Sequence, residues 1–222
     1  MLLLSLDAAL ARASAAVLRD DLVIAERAMV AERGQAAALA PMVASVLAEA
    51  AVAATDLDAV AVTVGPGSFT GLRAALALAH GIALAAGRPV VGVSVAEALA
   101  QAVPNIGARA HWCAIDSRRG RIFLDTGGGP RPFPLDTLPP ASGPVAVTGD
   151  AAIAVAARLA ARGTDVWLTD ARLPRATDVA RVAARRLAGL MPPLPAQPLY
   201  IDPPEARLPA GGLRPAPTAA LA

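Results

Sequence analysis

The sequence predicts an α/β protein built on mixed sheets with helices on both faces. Three observations carry that expectation. Short β-like runs open the chain back to back: "LLLSLD", "SAAVLRD" and "LVIAERAM". Beyond residue 34, strand-like and helix-like stretches alternate. Hydrophobic residues make up 55% of the chain but aromatics only 3%, so the core must be Ala, Leu and Val, small enough for elements to approach closely. At 222 residues the chain suffices for one large domain or two small ones.

Residues 2–7 form an apolar run ending in an acid, and Asp20-Asp21 makes an acceptable hairpin turn between the next two runs, giving three antiparallel strands. The opening superficially resembles a signal peptide, but it lacks a basic start and Asp7 interrupts it, so a strand is expected. "GQAAALAPMVASVLAEA" reads as a helix, with Leu39, Met42, Val43, Val46 and Leu47 at helical spacing and Pro41 either kinking it or marking its start. "DAVAVTV" is a buried strand. "GPGSFTG" is a corner into the helix "GLRAALALAHGIALAAG", which Gly87 and Pro89 end. "PVVGVSV" is a strand and "AEALAQAV" a short helix. Three strands, helix, strand, helix, strand is the order of the ribonuclease H-like core used by actin and the sugar kinases. The second half is a weaker copy: a hairpin of "HWCAID" and "RIFLDT" around "SRRG", then "GPVAVTGD", "AAIAVAARLAARG", "DVWLTD" and "ATDVARVAARRLAGL". The expected division is an N-terminal lobe over 1–106, a smaller lobe over 107–190, and a proline-rich strap or tail over 191–222, where 9 prolines fall in 32 residues.

Charge excludes little. All 20 basic residues are arginine, which points to coding bias rather than nucleic-acid binding, and the net charge is only +2. Residues 1–107 carry six arginines and nine acids; residues 108–222 carry fourteen and nine. The basic second half is either a solvated surface or a face for RNA or an acidic partner. Cys113 stands alone, which rules out an intramolecular disulfide and fits a small core residue in a reducing compartment. The run after Gly71 is read as too alanine-rich to span a membrane. A soluble, cytoplasmic protein is expected.

The corner Gly65, Pro66, Gly67, Ser68, Phe69, Thr70, Gly71 admits two readings. Its glycines and exposed N–H groups at a helix start suit an anion, and they equally suit a tight turn capped by Ser68 or Thr70. No lysine exists for a P-loop, and the glycine spacing is one residue too long for the dinucleotide pattern. The helix that follows is apolar all round except for Arg73 and His80, so it is expected to be buried all round, by the same chain or by another subunit. Gly81 within it suggests a closely packed helix or strand.

The stretch "AVTVGPGSFTGLRAALALAHGIALAAGRPVVGVSVAEALA", with "AIDSRRGRIF" and "QPLYIDPPEARLP", resembles the TsaB family across nearly the whole chain, and "GPGSFTGLR" is that family's most specific motif. The resemblance implies the actin-like ATPase fold. It implies a non-catalytic subunit that binds and stabilises TsaD, its catalytic relative, for threonylcarbamoylation of the adenosine beside the anticodon of ANN-decoding tRNAs. It further implies TsaE in a larger assembly, tRNA contacted indirectly or weakly, and a possible homodimer in isolation, with no membrane. The histidine pair that holds a metal in TsaD falls on Val95 and Leu99 here, so no metal or cofactor is expected on this chain; ATP dependence and the metal would belong to the partner. Asp7 stands at the family's phosphate-side acid position, but Ala8 replaces the usual hydroxyl. Asp7 is either a relic of that site or a turn cap. The expected partner interface is Leu72, Leu76, Ala79, His80 and Ala83, so a charge at Ala79 should break assembly. The competing readings are an ATPase or small-molecule kinase on the same fold and a self-associating dimeric scaffold.

Overall fold

The computed structural model describes residues 1–30 and 34–201. The first three strands are β1 (Leu2–Asp7), β2 (Arg12–Arg19) and β3 (Leu22–Val30), joined as antiparallel neighbours with Leu4 opposite Val17 and Val17 opposite Ala25. Helix α1 (Gln35–Glu49) leads to β4 (Ala59–Gly65), α2 (Phe69–Ala86), β5 (Val90–Ser94) and α3 (Val95–Gln101). Strand β4 lies parallel to β1 and β5 parallel to β4, completing a five-stranded sheet of order β3-β2-β1-β4-β5. Pro41 sits inside α1 rather than at its start; the helix begins six residues earlier, after Gly34 in the left-handed conformation.

Alternation along the central strands assigns each face of this sheet. Leu4, Leu6, Val60 and Val62 point to α1 and α2, while Leu3, Ala59, Ala61 and Val93 point to the opposite layer. Strands β1 and β4 are therefore covered on both sides, which is why "DAVAVTV" reads as a continuous apolar run.

The second sheet repeats the plan. It consists of β6 (Ala110–Asp116), β7 (Ile122–Asp125), β8 (Arg131–Phe133), β9 (Val145–Thr148) and β10 (Val166–Leu168), in the order β10-β9-β6-β7-β8, with β6–β7–β8 antiparallel and β9 and β10 parallel to the centre. Read from β8, this is the strand order of the first sheet, so the α/β, duplicated ribonuclease H-like reading holds. Strand β8 escaped the sequence reading because three residues flanked by prolines carry no period. Helix α4 (Ala152–Ala161) covers one face through Ala152, Val155, Ala156 and Leu159.

The expected boundaries fail at one place. Helix α5 (Ala176–Leu187) lies in the segment assigned to the second lobe, yet it packs through Ala176, Val179, Ala180 and Ala183 on the first sheet, against Leu3, Ala16 and Val93. The Ala176 N–H at its start is capped by the Ser14 hydroxyl of β2, at 3.0 Å. Residues 192–200 then cross the first lobe as a strap, with Leu194, Ala196 and Leu199 against the α1–α2 core. The rest of the expected strap or tail, 202–222, lies outside the described residues.

Candidate functional site

Strand β4 is fully buried to its end, and the chain turns through Gly65 at φ 113° and a cis Gly65–Pro66 bond into α2. Ser68 is the helix N-cap, its Oγ accepting the Gly71 N–H at 3.2 Å. The Ser68 N–H donates to the Ala9 carbonyl at 2.6 Å. A methyl group on Gly67 would lie 2.1 Å from the Ala9 oxygen, and one on Gly71 2.0 Å from the Ala8 oxygen. The glycines thus seat the corner directly on the β1–β2 turn. Two donors that an anion could use here, Ser68 N and Gly71 N, are engaged by the chain's own Ala9 carbonyl and Ser68 hydroxyl, which favours the structural reading of the motif.

Asp7 ends β1 beneath this turn with no exposed surface. Its Oδ1 accepts the Thr63 hydroxyl at 2.7 Å and the Ala9 N–H at 3.2 Å, while Oδ2 has no partner among the described residues. Burial pushes its pKa up to about 7, against the opposing hydrogen bonds and the nearby Arg12 charge. The Ala9 bond is that of a turn cap. Ala8, beside it, is buried.

Val95 and Leu99, onto which the resemblance places a histidine pair, are fully buried in an apolar cluster with Leu10, Leu72, Cys113 and Ile115 that joins the two lobes. Burial raises the Cys113 thiol to about 12, which leaves it inert at neutral pH. His111 is half-buried with Nε2 at 2.9 Å from the Thr148 hydroxyl, and burial lowers its pKa. Among the described residues no group of three or more His, Cys, Asp or Glu could hold a metal.

Helix α2 departs from the expectation of burial all round. Leu72, Leu76, Ala79 and Ala83, four of the five expected interface residues, point inward; the first belongs to the cluster between the lobes and the others to the core under the helix. Only His80 is exposed, with Nε2 at 2.8 Å from the Ala196 carbonyl of the strap. An arginine at Ala79 would bury charge against the chain's own sheet and test folding, not assembly. The open side carries Arg73, Ala77, Gly81, Leu84 and Ala85 as well, at the spacing of one helical stripe. Leu84 is 85% exposed, and among the described residues nothing lies within 4 Å of where a Cβ on Gly81 would be. Helix α1, packed beside α2, presents a matching stripe of Ala37, Ala40, Pro41, Ala44 and Ala48. Among the described helices α2 is the one long and apolar enough to cross a membrane, contrary to the sequence expectation; its inward face is nevertheless packed on β4.

The first turn of α2 carries a cluster that sequence reasoning missed. The Arg73 guanidinium lies 3.7 Å from the Phe69 ring centre and donates to the Tyr200 hydroxyl at 2.9 Å. The Phe69–Arg73 spacing of four was a usable signal; Tyr200 comes from 127 residues away and gave none.

Residues 28–130 match the family model described as TsaD, tRNA N6-adenosine threonylcarbamoyltransferase. The chain is 36% identical over 124 residues to the tRNA threonylcarbamoyladenosine biosynthesis protein TsaB of Escherichia coli K12, covering 55% of this chain and 53% of that one. It thus spans about half the length of this curated relative. Two solved structures from Pseudomonas aeruginosa, an uncharacterized protein with similarity to peptidase YEAZ and YeaZ itself, are each 28% identical over 90% of this chain and 99% of theirs, with TM-scores of 0.76 and 0.71. Nearly the full chain shares this architecture, and "GPGSFTGLR" builds its central corner. The chain is thus similar to the TsaB family over this architecture.

Proposed function

We propose that this chain is a non-catalytic subunit that binds and stabilises a threonylcarbamoyltransferase of the TsaD type, for N6-threonylcarbamoylation of the adenosine beside the anticodon in ANN-decoding tRNAs. The observation that carries it is the open α1–α2 surface. Two adjacent helices expose stripes of alanine, with Leu84 uncovered and Gly81 adjoining empty space. A glycine in mid-helix costs about 1 kcal/mol relative to alanine, and among the described residues nothing approaches it closely enough to need it. A partner helix laid in the groove would use both features. The likeness to TsaB supplies the pathway. The filled corner and the apolar cluster around Val95 and Leu99 favour this reading over an ATPase or kinase. Metal, nucleotide and group transfer would reside on the partner, with TsaE joining the assembly and tRNA met chiefly through it.

The test is light scattering after size-exclusion chromatography of this chain, the TsaD-type protein of the same organism, and their mixture. A one-to-one complex is expected, and Leu84→Asp should weaken it by at least about ten-fold while leaving the thermal midpoint of the isolated chain unchanged. Two unshifted peaks for the wild-type mixture would overturn the reading. A homodimer that persists in the presence of the partner would favour the self-associating scaffold.

A further inference from the structure

Several arginines of this chain meet a carboxylate: Arg109 with Asp165, Arg158 with Asp136, Arg181 with Asp21 and Asp178, Arg186 with Glu97. Arg73 differs. Among the described residues its partners are two aromatic side chains, and no acid is paired with it. Phe69 and Tyr200 are 61% and 59% exposed, so two of the chain's six aromatic residues stand in solvent at the same point.

The arrangement prepares Arg73 for a ligand. Stacking on Phe69 covers one face of the guanidinium and leaves its in-plane N–H groups available to an acceptor. Tyr200 fixes one of them, and its hydroxyl, having accepted from Arg73, keeps a proton to donate. The strap holds Tyr200 in place, since the neighbouring Leu199 N–H bonds the Val64 carbonyl at 2.8 Å. Arg73 and Tyr200 thus place two donors side by side, and a planar carboxylate accepts both. A cation in the early turns of a helix also opposes the helix dipole, a penalty that a bound anion relieves.

Position identifies the source of that anion. Arg73 begins the outward stripe that runs through Ala77, Gly81 and Leu84, so it forms the charged end of that stripe. Residues 1–107 carry nine acids against six arginines, a balance that disfavours a polyanion such as RNA. We propose that Phe69, Arg73 and Tyr200 form a clamp for an aspartate or glutamate side chain of the protein that docks on the α1–α2 face. This rests on the docking reading above and adds what would orient the partner: the apolar stripes supply area, and the clamp selects the register in which a partner carboxylate meets Arg73.

Calorimetric titration of the TsaD-type partner at several NaCl concentrations tests it, using wild type, Arg73→Gln, Arg73→Lys, Tyr200→Phe and Leu84→Asp, each checked for an unchanged thermal midpoint. Arg73→Gln should weaken binding about ten-fold or more and flatten its salt dependence. Arg73→Lys should recover only part of the loss, and Tyr200→Phe should cost about three-fold or more. Binding by Arg73→Gln equal to wild type, with Leu84→Asp impaired, would overturn the clamp and keep the docking surface. Unimpaired binding by Leu84→Asp would overturn the docking surface itself. Loss of tRNA affinity in Arg73→Gln with the protein complex intact would reassign the cluster to RNA and overturn the clamp. A lowered thermal midpoint with normal affinity, in Arg73→Gln or Tyr200→Phe, would make the cluster a fastener for the strap, with the same consequence.

Discussion

Asp7 shows how its surroundings can change the chemistry of one strand-end acid. It has no exposure, one unpartnered oxygen and a pKa near 7, well above the 3.8 of an ordinary aspartate. The folded chain therefore keeps a proton that the unfolded chain releases between about pH 4 and 7. Stability contributed by this group is fully present below the unfolded value and is lost as pH rises through the folded one. Asparagine at this position can still accept from Thr63 and Ala9 and carries no charge. Asp7→Asn should accordingly raise stability by about 1–3 kcal/mol at pH 8, with the gain vanishing toward pH 4. Denaturant melts across that range check it, and equal midpoints at pH 8 would refute it. The sequence exposed Asp7 as a candidate, but a strand-end acid reads the same whether solvent or a folded turn covers it.

Helix α2 shows what periodicity misses when nearly every residue is small. Its inward and outward stripes are both apolar, so the sequence marks it as buried without saying by what. The five-stranded sheet decides: Ala75, Leu76, Ala79 and Ala83 fit against it, and Ala77, Gly81 and Leu84 are left outside. Gly81 can be tested apart from the core. Gly81→Ala should raise the thermal midpoint of the isolated chain by about 2–4 °C, since alanine favours the helix by about 1 kcal/mol and meets no neighbour within 4 Å. The same change should weaken the partner complex by holding the incoming helix away. Unchanged affinity in calorimetry would show that no close approach occurs there. The motif glycines Gly67 and Gly71 contrast with it, because the turn carbonyls of Ala9 and Ala8 occupy the space a side chain would need.

At the scale of the molecule, the chain returns to its beginning. Helix α5 closes the second face of the first sheet, and the strap crosses the other face to reach α2. Arg186 joins these pieces: its 6%-exposed side chain donates to the carbonyls of Pro192 at 2.6 Å and Gly92 at 2.5 Å and pairs with Glu97. Arg186→Gln should cost about 2–4 kcal/mol and speed hydrogen exchange at the Leu199 amide, read by native-state exchange; unchanged exchange would place the strap's anchorage elsewhere. Local pattern and motif determined every strand but β8, the main helices, the duplicated order, the glycine corner and the family resemblance, because each depends on residues a few positions apart. The tertiary structure alone decided which lobe owns α5, which side of α2 is open, that Ala8 and Ala9 fill the corner, and that Tyr200 reaches Arg73. Most of those outcomes depend on contacts far apart in sequence, 162 positions for Ser14 and Ala176 and 127 for Arg73 and Tyr200, and in a chain this rich in alanine no side chain announces such a contact in advance.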